Sequence, residues 1–228
     1  MHFAIIFAMD EELRAFLNLQ DSYETESLRG HTLYRVEDGP HTVSAVRSGI
    51  GKTHSAYVAT ALIERIRPDA LLNVGVAGGL DVPFGTLVVG SKIAYHDVDV
   101  TAFHYPYGQI PGAPDAFDAD EGLLLSARKA FNTLSYAFKE GTILTGDQFV
   151  KGRSSITKAL SLNPQALAVD MEAAAIAHVA WLEALPFLCI RTISDELDTD
   201  IQMETYEDEM ERSAAKAAET VKAMIGIL

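Results

Sequence analysis

The chain has 228 residues, 48% apolar and 22% charged, the make-up of a folded chain rather than a disordered one. At this length roughly 70% of the unfolded surface can be buried, so the fold needs neither disulfides nor a structural metal. Thirty-two acidic against 18 basic residues give a net charge of −14, a field that repels phosphate backbones and anionic head groups and argues against nucleic acid and membrane as partners.

The apolar run over residues 1–9 is short and turns acidic at Asp10-Glu11-Glu12. With no basic leader and no small-residue cleavage site, it reads as a first strand rather than a signal peptide. Leu13, Phe16 and Leu17 follow at helical spacing. Residues 32–36 and 42–46 flank Glu37-Asp38-Gly39-Pro40-His41 and predict a hairpin. Gly49-Ile50-Gly51 then opens a helix over 52–67, closed by Pro68. Residues 70–74 form an apolar strand, as expected of one covered on both faces, and run into a glycine loop, Gly75-Val76-Ala77-Gly78-Gly79.

Two β segments are expected over 86–100, then an aromatic loop over 103–114 that something should cover. Thereafter helices near 120–133, 153–162, 172–184 and 204–225 alternate with strands at 141–144, 166–169 and 187–193. This order predicts an α/β fold in three αβα layers on a largely parallel sheet, with residues 1–228 as one domain. No apolar stretch reaches the ~18 residues of a membrane span. Cys189, the single cysteine, sits in an apolar run as a small buried hydrophobe and suits a reducing, cytoplasmic setting. Nine acids and no Lys or Arg between Thr192 and Glu211 read as a solvated helix face.

Several motifs fail on spacing. Gly51-Lys52-Thr53 lacks the P-loop's first glycine, since Val46 occupies that position, and Gly49-Ile50-Gly51 lacks a third glycine because His54 stands there. His96, Asp97 and Asp99 do not converge from one strand and read as a hydrogen-bonded cluster rather than metal ligands. Three carboxylates are different: Glu12, Glu172 and Asp195 each stand where a strand meets a helix. In an open parallel sheet such junctions share the ligand-binding edge. Each alone also fits a helix terminus, with Ser194 and Asp195 as caps.

Ala8-Met9-x-Glu11-Glu12, Ser48-Gly49-Ile50-Gly51-Lys52, Gly75-x-Ala77-Gly78-Gly79 and His96-Asp97-x-Asp99-Val100-Thr101-Ala102-Phe103 occur in order. Gly146-Asp147-x-Phe149, Met171-Glu172 and Arg191-x-Ile193-Ser194-Asp195 follow. Together they resemble the 5′-methylthioadenosine/S-adenosylhomocysteine nucleosidases of the nucleoside phosphorylase superfamily, over essentially the whole chain. That resemblance implies a central twisted mixed sheet and hydrolysis of the N-glycosidic bond of a 5′-thioadenosine, without metal or cofactor.

It also implies roles. Asp195, held by Ser194, would protonate the adenine N7; Glu12 would orient and deprotonate water; Glu172 would bind the ribose hydroxyls, accompanied by Arg191. Phe149 would stack on the purine, the Val150 backbone would read its edge, and Ala77 and Gly78 would let the backbone approach. Met9, Ile50 and Met171 would line the thioalkyl side. Phe103, Tyr105 and Pro111 match a segment that relatives contribute to the neighbouring subunit's pocket, which implies a homodimer.

Where relatives have serine this chain has Val76, so a hydroxyl contact to the sugar or nucleophile is absent, and where they have glycine and glutamate it has Phe7 and Asp170; altered packing rather than lost activity is expected. Tyr206 could replace an aromatic pocket residue, but the acidic stretch before it differs in length from that of relatives, and it is left out of the site assignment. The competing readings are a nucleoside phosphorylase and a non-catalytic nucleoside-binding protein. Against the first, superfamily phosphorylases place arginine and serine where this chain has Asn73 and Val76, and Glu12 would repel a phosphate dianion. Against the second, unpaired buried carboxylates cost stability without return.

Overall fold

The computed structural model describes residues 1–198 and 203–228, the side chains of 203–207 excepted. β1 (His2–Phe7) is buried along nearly its whole length, as its unbroken apolar sequence requires. It runs parallel to β4 (His41–Arg47) on one side and to β5 (Ala70–Gly79) on the other. β5 is in turn parallel to β10 (Phe187–Glu196). A second parallel set comprises β6 (Leu87–Tyr95), β8 (Phe138–Thr145) and β9 (Ala166–Asp170). The two sets join antiparallel at two places, β10 with β6 and β5 with β9. The strands β5, β10, β6, β8 and β9 thereby close into a ring. β3 (His31–Asp38) and β2 (Glu24–Leu28) continue antiparallel from β4, and β7 (Phe117–Asp118) pairs with β6.

Alternate residues of β1 serve the two faces. Phe3 and Ile5 pack with Phe16 of α1 (Asp10–Leu17), Leu123 and Ala127 of α3 (Glu121–Leu134) and Val221 and Met224 of α6 (Met203–Ile225). Ala4 and Ile6 pack with Val58 and Leu62 of α2 (Lys52–Ile66) and Ile176 and Ala180 of α5 (Ala173–Leu182). α4 (Thr157–Leu162) contributes Ala159 to a smaller cluster that includes Leu144, Val150, Val169 and Leu197. The result is three layers, helices on both faces of a mixed sheet.

The structure departs from the sequence reading in several places. The sheet is mixed, as the resemblance implied, rather than largely parallel as the element order alone suggested, and it is locally closed. Gly75 to Gly79 are the end of β5 rather than a loop. The β segments expected over 86–100 are a single strand, β6. The hairpin turn is only Gly39-Pro40, the strands taking up the flanking residues. β2 was not anticipated, because Glu24-Thr25-Glu26-Ser27 is an exposed edge without apolar alternation. The helix expected over 153–162 is a 3₁₀ turn, Arg153–Ile156, followed by α4.

Candidate active site

The C-terminal ends of both parallel sets converge on one cleft of about 160 Å³, open at its mouth. β1 delivers Met9, the turn after β4 delivers Ile50, and β5 delivers Ala77 and Gly78. Phe149 and Val150 come from the segment after β8, Met171 and Glu172 from the end of β9, and Ser194 and Asp195 from β10. The lining also includes Ala8, Val76, Gln148, Val169 and Asp170, none of which was proposed as a contact from sequence. Ala8 and Gln148 adjoin assigned positions and were within reach of the same argument.

Glu12 lies just behind this lining, 3% exposed. It is the third residue of α1 and reaches back to the helix start, where Oε2 accepts from the backbone N–H of Ala8 (2.9 Å) and Met9 (3.0 Å). Oε1 accepts from the N–H of Val76 on β5 at 2.9 Å. Gly75 makes this approach feasible: a Cβ there would stand 2.2 Å from Oε1. Burial raises the Glu12 pKa above the ordinary glutamate value, opposed by the Arg191 charge and these three N–H groups.

Glu172 immediately precedes α5, yet its side chain does not cap that helix. Oε1 instead accepts from the N–H of Gly51 at 2.8 Å, across the cleft at the start of α2. Gly51 holds φ +98°, a backbone conformation that L side chains rarely adopt. Burial, reinforced by the nearby Asp170, pushes the Glu172 pKa up to about 7.

Asp195 caps no helix either, because it lies within β10. The register slips between Ile193 and Asp195 opposite the consecutive pair Ala77 and Gly78, a bulge that re-aims the strand's end. Its Oδ1 accepts from Ser194 Oγ at 2.8 Å, and burial raises its pKa against that hydrogen bond.

Arg191, expected beside Glu172 at the sugar and as a substrate-binding residue, does not line the cleft. It is 2% exposed and is held by Asp170 Oδ2 at 2.6 Å and by the Asn73 side-chain oxygen. Asp170 also accepts from Thr145 Oγ1 (2.5 Å) and from the N–H of Ala173 at the start of α5 (3.0 Å). Asn73 donates to Ile6 O at 3.0 Å. One guanidinium thus stands as a buried counter-charge to Asp170, Glu12 and Glu172. This role was missed because Asn73 and Asp170 are far from Arg191 in sequence.

Asp97 and Asp99 pair with different lysines, Lys52 and Lys158, each at 2.6 Å. Among the described residues no group of three or more His, Cys, Asp or Glu could hold a metal ion. Asp97 also accepts from the N–H of Asp147, whose Oδ1 accepts from the N–H of Lys52, tying the segment before Phe149 to the start of α2. Phe103, Tyr105 and Pro111 do not line this cleft; all three are exposed, Phe103 at 74%. The Tyr206 side chain and the middle of the acidic stretch lie outside the described residues.

A closed ring of strands with carboxylates gathered at one cleft defines a class, and residues 2–226 match the family described as the Phosphorylase superfamily. The chain belongs to that superfamily, and within it to the 5′-methylthioadenosine/S-adenosylhomocysteine nucleosidases. It is 38% identical over 228 residues to the nucleosidase of that name from Maridesulfovibrio salexigens, covering 99% of each chain. It is similar to the Neisseria meningitidis nucleosidase in complex with methylthio-immucillin-A, with a TM-score of 0.93, 32% identity and coverage of 100% and 99%. It also matches the Colwellia psychrerythraea nucleosidase in complex with adenine, with a TM-score of 0.92, 35% identity and coverage of 100% and 96%.

Proposed function

We propose that this protein hydrolyses the N-glycosidic bond of 5′-methylthioadenosine and S-adenosylhomocysteine, releasing adenine and the 5-substituted ribose. The observation that carries the reading is the convergence of three carboxylates at one cleft, Glu12 and Glu172 buried and Asp195 partly so, each held differently. The relatives' names and their bound inhibitor and adenine support the substrate class.

Asp195 is the general acid. Burial raises its pKa and so favours the protonated form, and Ser194 engages Oδ1, leaving Oδ2 without a hydrogen bond from the described residues and able to donate to the purine N7. Proton donation makes adenine a better leaving group, so the glycosidic bond lengthens and C1′ becomes cationic. Glu172 retains one oxygen beyond the Gly51 bond for the ribose hydroxyls, and its negative charge favours that cation.

Glu12 is the general base. A carboxylate offers about four acceptor positions, and three N–H groups occupy three of them. The remaining one, on Oε1, takes a proton from the attacking water as its oxygen bonds to C1′. The rigid three-point hold fixes where that water sits, and the raised pKa makes Glu12 a stronger base than a solvated glutamate. Phe149 and Val150 hold the purine, and Met9, Ile50 and Met171 surround the thioalkyl group. Arg191 acts from beneath, as the counter-charge that keeps Glu12 and Glu172 ionisable.

No helix among the described residues is long and apolar enough to cross a membrane. The working protein is a cytoplasmic, single-domain enzyme acting as a homodimer, with the exposed Phe103, Tyr105 and Pro111 segment completing a neighbour's cleft. The test is adenine release from 5′-methylthioadenosine with and without phosphate, for the wild type, Glu12→Gln and Asp195→Asn. Phosphate-independent release that drops at least ~100-fold in both variants is expected. Phosphate dependence would overturn hydrolysis in favour of phosphorolysis, and tight binding without release would leave a nucleoside-binding protein.

A further inference from the structure

The cleft's purine end is bordered by Phe149 and Val150 on one side and Ser194 and Asp195 on the other, and these come from strands of different parallel sets. A compact clip joins the two sides just beyond the lining residues. The N–H of Asp198 donates to Lys151 O at 3.0 Å, and Asp198 Oδ1 accepts from the N–H of Arg153 at 3.2 Å. The Arg153 guanidinium lies 3.7 Å from Asp198 Oδ2 and pairs with Asp81 Oδ1 at 2.6 Å, so it also holds the connection after β5.

Sequence details agree with a close fit. A Cβ on Gly152 would stand 2.6 Å from Asp198 Oδ1, so the approach needs glycine there. Asp198 itself adopts φ +64°, where aspartate and asparagine are tolerated better than most residues. Between the clip and the cleft, Leu197 packs in the same buried cluster as Val150, and its N–H donates to Gly79 O at 3.2 Å.

We infer that Asp198 is a positioning residue that sets the gap between the Phe149–Val150 wall and the Asp195 carboxyl, and hence how the purine meets its acid. Asp198 lies three residues beyond Asp195, and Lys151 directly follows Val150, so each arm from clip to cleft is too short to move independently. Asp198 Oδ1 holds the Arg153 N–H directly, whereas the exposed Arg153 ion pairs add little in water. The inference rests on the assignment of this end of the cleft to adenine.

The experiment compares Asp198→Gly, which accepts the positive φ but loses the carboxylate, with Asp198→Asn, which keeps both an acceptor oxygen and the tolerated φ. Inhibition constants for adenine and for the 5-methylthioribose product are measured alongside kcat/KM. The expected result for Asp198→Gly is an adenine constant raised about 10-fold and kcat/KM lowered about 10- to 100-fold, with the ribose-product constant within twofold. Asp198→Asn should stay within about threefold of wild type throughout. Asp198→Gly within twofold of wild type, equal loss in the two variants, or equal weakening of both products would each overturn the inference. A wild type that does not bind adenine would instead remove the purine assignment beneath it.

Discussion

Gly75→Ala tests the central geometric claim, that Glu12 works from one fixed position. The added methyl carbon would stand 2.2 Å from Oε1, 2.8 Å from Cδ and 3.1 Å from Oε2, where ordinary contact begins at 3.4 Å. The carboxylate must therefore retreat by about 1 Å, away from the Val76 N–H. It has little room to do so, being 3% exposed and enclosed by α1 and β5. Gly75 lacks the positive φ of Gly49 and Gly51, so alanine is tolerated by the backbone and the clash is the whole perturbation. A misplacement of about 1 Å costs about 100-fold in rate, and a general base supplies about 10²- to 10⁴-fold in total. We expect kcat for 5′-methylthioadenosine to fall about 10²- to 10³-fold while adenine inhibition stays within threefold, because Phe149 and Val150 are untouched. Steady-state adenine release with product inhibition reads both. A kcat within fivefold of wild type, in a protein whose Glu12→Gln variant is slow, would refute the argument.

Further outcomes follow from the buried charges and from the exposed aromatic loop. Burial raises the Glu172 pKa from 4.5 to about 7, so the unfolded chain loses this proton first and stability falls as pH rises between those values, staying lower above them. That rise corresponds to about 3 kcal/mol, so the unfolding free energy of Glu172→Gln should gain about that much on wild type between about pH 4 and pH 8; urea titrations showing a constant difference would count against it. Arg191→Met should cost about 3–5 kcal/mol of stability by stranding Asp170 beside two more carboxylates. Because Arg191 lowers the pKa of both Glu12 and Glu172, the acidic limb of kcat/KM should also move to higher pH, which a pH–rate profile checks. Phe103→Ala should weaken self-association and reduce kcat/KM together, and a monomer by light scattering that keeps full activity would exclude the shared cleft.

Much of the architecture was legible because apolar periodicity reports burial. β1 and β5 read as covered strands since their residues are covered, and α1 showed its inner face in Leu13, Phe16 and Leu17. What escaped was set by pairing rather than by pattern. β2 is polar and earns its place through hydrogen bonds to β3, which no residue in it announces. The closure of five strands into a ring depends on β10 lying beside both β5 and β6, contacts far apart in the chain. Gly75-Val76-Ala77-Gly78-Gly79 looked like a loop by composition, yet the small residues serve close approach within a strand.

The site shows the same division more sharply. Junction position alone left Glu12, Glu172 and Asp195 equally suited to helix termini, and only the ordered motifs set them apart. In the structure the terminus explanation survives for Glu12, which accepts from the N–H groups of Ala8 and Met9 at the entry to α1, and fails for Glu172 and Asp195. Glu12 therefore serves both ends: the bonds that finish the helix are the bonds that aim the base. The cost of burying Glu12 and Glu172 is offset at one point, the guanidinium of Arg191, and its two supports, Asn73 and Asp170, come from β5 and β9, one from each parallel set. Tying the counter-charge to both sets makes the ionisation of the cleft depend on the ring being closed, so disturbing the strand junctions should alter the pH profile before it unfolds the chain.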